Sequence, residues 1–263
     1  MSVLPGCVAT RSAPRSAPVR VVMHGLAESI ARYNEQCISS DRLRAYASIE
    51  YSSEQTKKKS FNGSIYIDAL SQSLRLRADA YFVTLFDLTY SEGRFSALVP
   101  SRRTMFRGEG DSFRGFAMQD LRDALLPSPL AADGAGILME EAQREVVLTE
   151  VTKADDGAWR PAQRVYLSRT DLSLVRRSLF YPTGVIKSDL YYSRPQDFKA
   201  GRFASRITVS RAWQEIRVTL NLEKLEIPAA FNDGLFALET PSGTKVVDIE
   251  PEMSDDILFT SEK

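Results

Sequence analysis

The sequence predicts a mainly β fold: one antiparallel sheet of about twelve short strands, accompanied by two helices, in a single domain. Three observations carry this. Apolar and polar residues alternate with period 2 over most of the chain, as in "SLRLRADA", where Leu74, Leu76 and Ala78 share one face and Arg75, Arg77 and Asp79 the other. Turn clusters such as Ser91-Glu92-Gly93 and Pro182-Thr183-Gly184 join the strands, and they are too short for the crossovers that parallel strands need. Only two stretches change to the helical period.

The first helical stretch opens the folded part. Leu26, Ile30, Tyr33 and Cys37 recur along one helix face, with Glu28, Arg32 and Glu35 elsewhere, until Ser39-Ser40-Asp41 ends it. Strands then follow as "LRAYASIEYSS", "KKSFNGSIYIDA", "SLRLRADA", "TLFDLTY", "RFSALVP" and "RRTMFRG". "GFAMQDLRDALLPSPL" interrupts them as the second helix. Ala117, Leu121, Ala124 and Leu125 lie on one side, Asp120, Arg122 and Asp123 on the other, and Pro127 and Pro129 stop it. "AADGAGI" reads as a loop able to move. Six more strands run from "QREVVLTEVT" to "QEIRVTLNLEKLEI", and "FNDGLFALETPSGTKVVDIE" reads as a closing flap at the sheet edge. No second composition regime and no linker divides residues 24–250.

Composition narrows the function classes. Of 263 residues, 43% are hydrophobic and 26% charged, enough apolar surface for a sizeable core. Lys plus Arg and Asp plus Glu balance at 34 each, so no basic excess is available for nucleic acid. No apolar run approaches the roughly 20 residues that span a bilayer. The two cysteines, Cys7 and Cys37, lack metal or redox spacing, and no cofactor is implied. A Cys7–Cys37 bridge is one option. A packed Cys37 beside a modified Cys7 is the other.

The N-terminus is distinctive. Leu4-Pro5-Gly6-Cys7 has the outline of a bacterial lipobox, in which the cysteine receives lipid, but the charged start and apolar core of a signal peptide do not precede it. Residues 8–22 contain "RSAPRSAP", small residues with Pro and Arg that read as a flexible tether or a plain disordered terminus. The expected organisation is therefore a residual signal, lipobox and tether over 1–23, a folded domain over 24–250 and a flexible tail over 251–263.

The order of elements, with the stretch from Phe61 to Gly110, resembles the LolA/LolB-like superfamily of bacterial periplasmic lipoprotein carriers and outer-membrane lipoprotein receptors. Gly63, Leu74, Arg75, Phe86, Gly93, Pro100 and Gly108 sit where that pattern expects them. The resemblance covers residues 24–250 and rests on order and spacing. It implies an incomplete β-barrel of about 11–12 strands whose concave face is covered by helices and shelters acyl chains. The physics runs the same way: strand twist curls a large antiparallel sheet, and its hollow must be filled by side chains or by an apolar ligand.

Under that resemblance, the candidate lining residues are Leu74, Leu76, Phe86, Leu88, Phe95 and Val99 on strands, with Phe116, Met118, Leu121 and Leu125 from the helical interruption. A filled core remains the plain alternative for each. Cys7 is the expected lipidation site, and Val8 after it implies outer-membrane residence facing the periplasm. The implied partners are an acyl-chain lipid or lipoprotein cargo, a membrane reached through the N-terminal anchor, and an envelope transport protein, with the chain itself a monomer. "ALLPSPLAADGAGILM" reads as a structural loop or as an apolar insertion loop.

Enzymatic signals are sparse. His24 is the single histidine, and nucleophile-elbow, zinc and phosphate-loop motifs do not occur. Asp155-Asp156 and Asp255-Asp256 read as solvated turn or tail residues, leaving a carboxylate-only hydrolase as the enzymatic alternative. Arg75, Arg77, Arg164, Arg176, Arg177 and Arg206 fall on polar strand faces, where they deter aggregation or meet anionic lipid headgroups or a partner protein. The expected function is shielding of acyl chains without catalysis. The rival is a structural or assembly outer-membrane lipoprotein with a filled core.

Overall fold

A computed structural model describes residues 23–54, 58–80, 83–110, 112–113 and 116–249. Cys7, the tether through residue 22 and the tail at 251–263 lie outside the described residues. So does the side chain of Phe116.

Helix α1 (Leu26–Glu35) buries Ile30 and Tyr33, the face its spacing predicts. Six strands follow as an antiparallel meander: β1 (Arg42–Ser52), β2 (Lys59–Asp68), β3 (Ser73–Ala80), β4 (Val83–Ser91), β5 (Arg94–Val99) and β6 (Thr104–Glu109). A small hairpin, β7 (Ser112–Phe113) and β8 (Phe116–Ala117), leads into helix α2 (Met118–Leu125). The second meander comprises β9 (Ile137–Glu141), β10 (Glu145–Lys153), β11 (Trp159–Ser168), β12 (Leu174–Phe180), β13 (Ile186–Phe198), β14 (Gly201–Arg211) and β15 (Ile216–Glu226).

Pairing of β1 with β15 joins the meanders, and β16 (Lys245–Ile249) adds to β6, giving one curved sheet of 14 strands with β16 and β9 as its open edges. The sequence accounts for twelve of these. The other two are "ILMEE", β9, hidden within the apparent loop, and "KVVDI", β16, the end of the expected flap. β16 runs parallel to β6 and is the exception to the antiparallel expectation.

The register sorts side chains into rows across the sheet. Leu43, Ile67, Leu74, Tyr90 and Phe95 form one row; Ala45, Ile65, Leu76, Leu88, Ala97 and Phe106 form the next. All are buried in one hydrophobic cluster that also contains Ile30 and Tyr33 of α1 and Met118, Leu121 and Leu125 of α2. This is the concave face, and the two helices cover it. A row pairs every second residue, so one face becomes apolar wherever alternation holds. Gly63 sits in this floor because a Cβ there would lie 2.6 Å from Ile49 Cδ1 and 3.3 Å from Leu76 Cδ1.

The opposite face carries Arg44, Tyr66, Arg75, Thr89, Ser96 and Arg107 in register. Residues 227–244 cross over it from β15 to β16. Arg42 donates to the Ala229 carbonyl at 2.8 Å, Arg75 to the Leu235 carbonyl at 2.7 Å and Arg107 to Thr240 Oγ1 at 2.8 Å. Phe231 stands edge-on to both Tyr66 and Phe236. Arg75 also grips Asp87 through two bonds, 2.8 and 2.6 Å, which raises its already high pKa. The polar face is thus the seat of a strap, and Arg75 is one of its fasteners rather than a solvated deterrent to aggregation.

Candidate functional site

Two polar anchors hold α2 against the apolar concave face. Asp120, expected on the solvent side, is only 2% exposed. Its carboxylate accepts from Arg211 Nε of β14 at 2.6 Å and lies 3.4 Å from Lys187 Nζ of β13. The expectation fails because the curled sheet surrounds so short a helix on more than one side.

Arg177 of β12 forms the second anchor and is also 2% exposed. It stands in the inward row Val218, Val209, Leu190, Arg177, Val165 and Leu148, not on the polar face. Adjacent residues on a strand point to opposite faces, so Arg176 and Arg177 separate. Arg176 faces out, paired with Asp189 and packed over Tyr166 and Tyr191.

Arg177 donates to the Asp123 carbonyl at 2.6 Å and to Gln163 Oε1 at 2.6 and 3.2 Å; Gln163 in turn donates to Glu150 Oε2 at 2.8 Å. Tyr192 Oη donates to the Ala124 carbonyl at 3.2 Å. A cation and a hydroxyl therefore meet carbonyls in the last turn of α2, where a helix carries partial negative charge.

The loop after α2 is fastened to α1. Tyr33 Oη donates to the Ser128 carbonyl at 2.8 Å, and the Asn34 amide makes reciprocal 2.9 Å bonds with the Leu130 backbone. Leu130 is buried. This is the structural-loop reading of "ALLPSPLAADGAGILM". Gln36, just past α1, binds the Leu172 carbonyl and the Leu174 N–H, so α1 is docked on the β11–β12 turn as well.

Beside that dock lies a cavity of about 560 Å³. Leu172, Leu174, Tyr192, Phe203 and Ala204 supply apolar wall, while Arg32, Glu35, Asp171 and Arg202 give a rim of both charges, Arg32 being paired with Glu35 at 3.0 Å. Its size falls in the range of about 300–1,000 Å³ typical of small-molecule sites.

The strand residues expected to line a hollow, Leu74, Leu76, Phe86, Leu88, Phe95 and Val99, all face the concave side and are buried. Met118, Leu121 and Leu125 of α2 press into the same cluster. The strand residues form floor in the first meander, whereas α2 is anchored on β12, β13 and β14. The cavity lies in the second meander beside α1, and neither these strand residues nor Met118, Leu121 and Leu125 line it. Its walls come from "LSLV", "YSRP" and "RFA", and the sequence gives no sign of the α1 contact that encloses them.

Burial sets the protonation of this region. It raises the Tyr33 phenol well above its usual 10.0 and the Tyr192 phenol as well, with the nearby Arg177 charge opposing both. Burial also raises the Cys37 thiol, which keeps it protonated and makes it a packing residue. The Asp123 carboxyl is raised by burial against the pull of Arg122, Arg177 and Lys187. Among the described residues, no group of three or more His, Cys, Asp or Glu is placed to hold a metal ion. Apolar wall, a rim of both charges and helices fastened by polar bonds make an arrangement suited to binding an apolar group.

The architecture defines a LolA-like open barrel: one curved, unclosed sheet with helices over its concave side. A LolA superfamily protein from Nitrosomonas europaea superposes with a TM-score of 0.52 over 80% of this chain and 96% of that one, at 8% identity. A DUF1329 family protein from Desulfovibrio piger superposes with a TM-score of 0.50 over 80% and 95%, at 13% identity. No protein-family model and no curated protein matches the sequence.

Proposed function

We propose that this protein binds the acyl chain of a lipid or lipoprotein in the bacterial cell envelope, shielding it from water for transport or outer-membrane localisation. The observation that carries the reading is the cavity of about 560 Å³, with Leu172, Leu174, Tyr192, Phe203 and Ala204 as its apolar wall. An acyl chain entering it contributes roughly 0.8 kcal/mol per buried methylene, before the cost of association. Shielding needs no catalytic group, so the chain works as a binding protein rather than an enzyme. The likeness to a LolA superfamily protein supports an envelope carrier, and Cys7 serves as the lipid anchor on the periplasmic side of the outer membrane.

Leu74, Leu76, Phe86, Leu88, Phe95 and Val99 extend the binding face in this proposal once α2 yields. Phe116 and the apolar face of α2, Met118, Leu121 and Leu125, make up its movable side. The burial of these strand and α2 residues in one packed cluster equally favours a second reading, a structural or assembly lipoprotein with a filled core.

One experiment separates the two. Purified protein is stripped by solvent extraction, refolded and offered palmitate or phospholipid, with uptake read by native mass spectrometry. Binding is expected at one ligand per chain. Ala204→Trp, which fills the cavity, lowers it by roughly tenfold at unchanged melting temperature. Protein that arrives empty and takes up neither lipid establishes the filled-core reading instead.

A further inference from the structure

The chain has two tryptophans, Trp159 and Trp213, and both are exposed, at 66% and 59%. They occupy the same end of the sheet. β10 through β15 run consecutively antiparallel, so the β10–β11, β12–β13 and β14–β15 turns all project from one rim. Arg160 donates to the Pro182 carbonyl at 2.9 Å and ties the first turn to the second. The register Asp189↔Ser210 carries Ile186 to the flank of the third. Three strand spacings, about 15 Å, separate the tryptophans. Between them stand Val185, 61% exposed, and Ile186. Val83 and the start of β4 lie at this end too, with Val83 and Leu85 exposed.

Exposed apolar residues on separate turn tips do not make a flat or grooved patch for a rigid partner. A bilayer interface accepts side chains at differing heights, and tryptophan favours it because its ring is apolar while its N–H needs a polar partner. The charges at the same turns point the same way. Lys59, Arg103, Lys153, Arg217 and Lys245 stand there against Glu54, Asp155 and Glu215, while Lys58 pairs with Glu50 and Arg160 with Asp156.

We propose that this rim rests on an anionic bilayer surface, with Trp159, Trp213, Val185 and Ile186 at headgroup depth and the basic side chains on lipid phosphates. The cavity is lined from the β11–β12 turn and the β13–β14 hairpin, at the other end of the strands. Docking in this way holds its mouth away from the membrane. The rim is a surface distinct from the cavity and acts independently of it.

The test uses the full chain carrying Cys7→Ser, so that no acyl group contributes, with vesicles of phosphatidylcholine alone or mixed with phosphatidylglycerol. Because both tryptophans lie on the rim, intrinsic emission reports docking directly. A blue shift and quenching by brominated lipid are expected on the anionic vesicles. On the neutral vesicles, affinity falls roughly fivefold for each basic side chain deprived of its anionic lipid. In co-sedimentation, Trp159→Ser and Trp213→Ser each weaken binding about tenfold, at unchanged melting temperature. Unshifted emission, absent quenching or equal sedimentation of the variants overturns the proposal. So does protection of the tryptophans by self-association without vesicles. Palmitate below its micellar concentration separates the two readings: uptake with silent tryptophans and no vesicle binding leaves the cavity standing and removes the rim.

Discussion

Replacing Arg177 by methionine tests whether α2 is held by a polar latch. The substitution keeps a long apolar side chain in the inward row and removes the guanidinium. Two buried acceptors lose their donor: Gln163 Oε1, which receives 2.6 and 3.2 Å bonds, and the Asp123 carbonyl, at 2.6 Å. Each stranded acceptor costs about 1–3 kcal/mol, and the helix end loses a favourable cation that contributes about 0.3–2 kcal/mol. Relief from burying a charge offsets part of this. The expected net loss is about 3 kcal/mol, which in a domain of this size lowers the melting temperature by roughly 6–12 °C. Hydrogen exchange locates the damage: amides of α2 lose protection before those of β1 and β2. A variant as stable as the parent, or one whose α2 amides exchange no faster relative to β1, would falsify the latch.

Asp120→Ala strands the buried Arg211 and Lys187 charges and is expected to cost about 3–5 kcal/mol; adding Arg211→Met recovers most of it in denaturant titrations. Asp123→Asn is expected to stabilise the protein at neutral pH. Burial raises the Asp123 carboxyl above its ordinary 3.8, so the folded chain holds that proton more tightly than the unfolded one. Stability from this group is therefore full below 3.8 and lost as pH rises through the folded value. The advantage of the asparagine variant, followed by melting temperature against pH, shrinks on acidification and levels off below 3.8.

Local alternation makes the twelve long strands legible, because a curled sheet with one apolar face imposes period 2 on residues such as Leu74, Leu76 and Leu88. Sequence does not show what touches what at a distance. Asp120 looks solvated until Arg211, 91 positions on, is brought beside it. Arg177 groups with Arg176 by residue type, although strand geometry forbids neighbours from sharing a face. β9 escapes notice because "ILMEE" is short, acidic and at an edge. β16 looks like a flap because its partner β6 lies across a long crossover. Alternation runs through both halves of the sheet and by itself places a cavity in neither. The cavity beside the β11–β12 turn depends on Gln36 meeting the Leu172–Leu174 backbone, a contact without a local signature.

The pairing of β1 with β15 also bears on how the chain reaches this state. Arg44 and Glu226 are partners roughly 180 positions apart, so the central seam depends on a very non-local closure, of the kind that slows folding. Until β15 emerges from the ribosome, β1 presents an unzipped edge to every other nascent strand in the vicinity. A chaperone that occupies Arg42–Ser52 during that interval would shield the barrel at its most sticky moment.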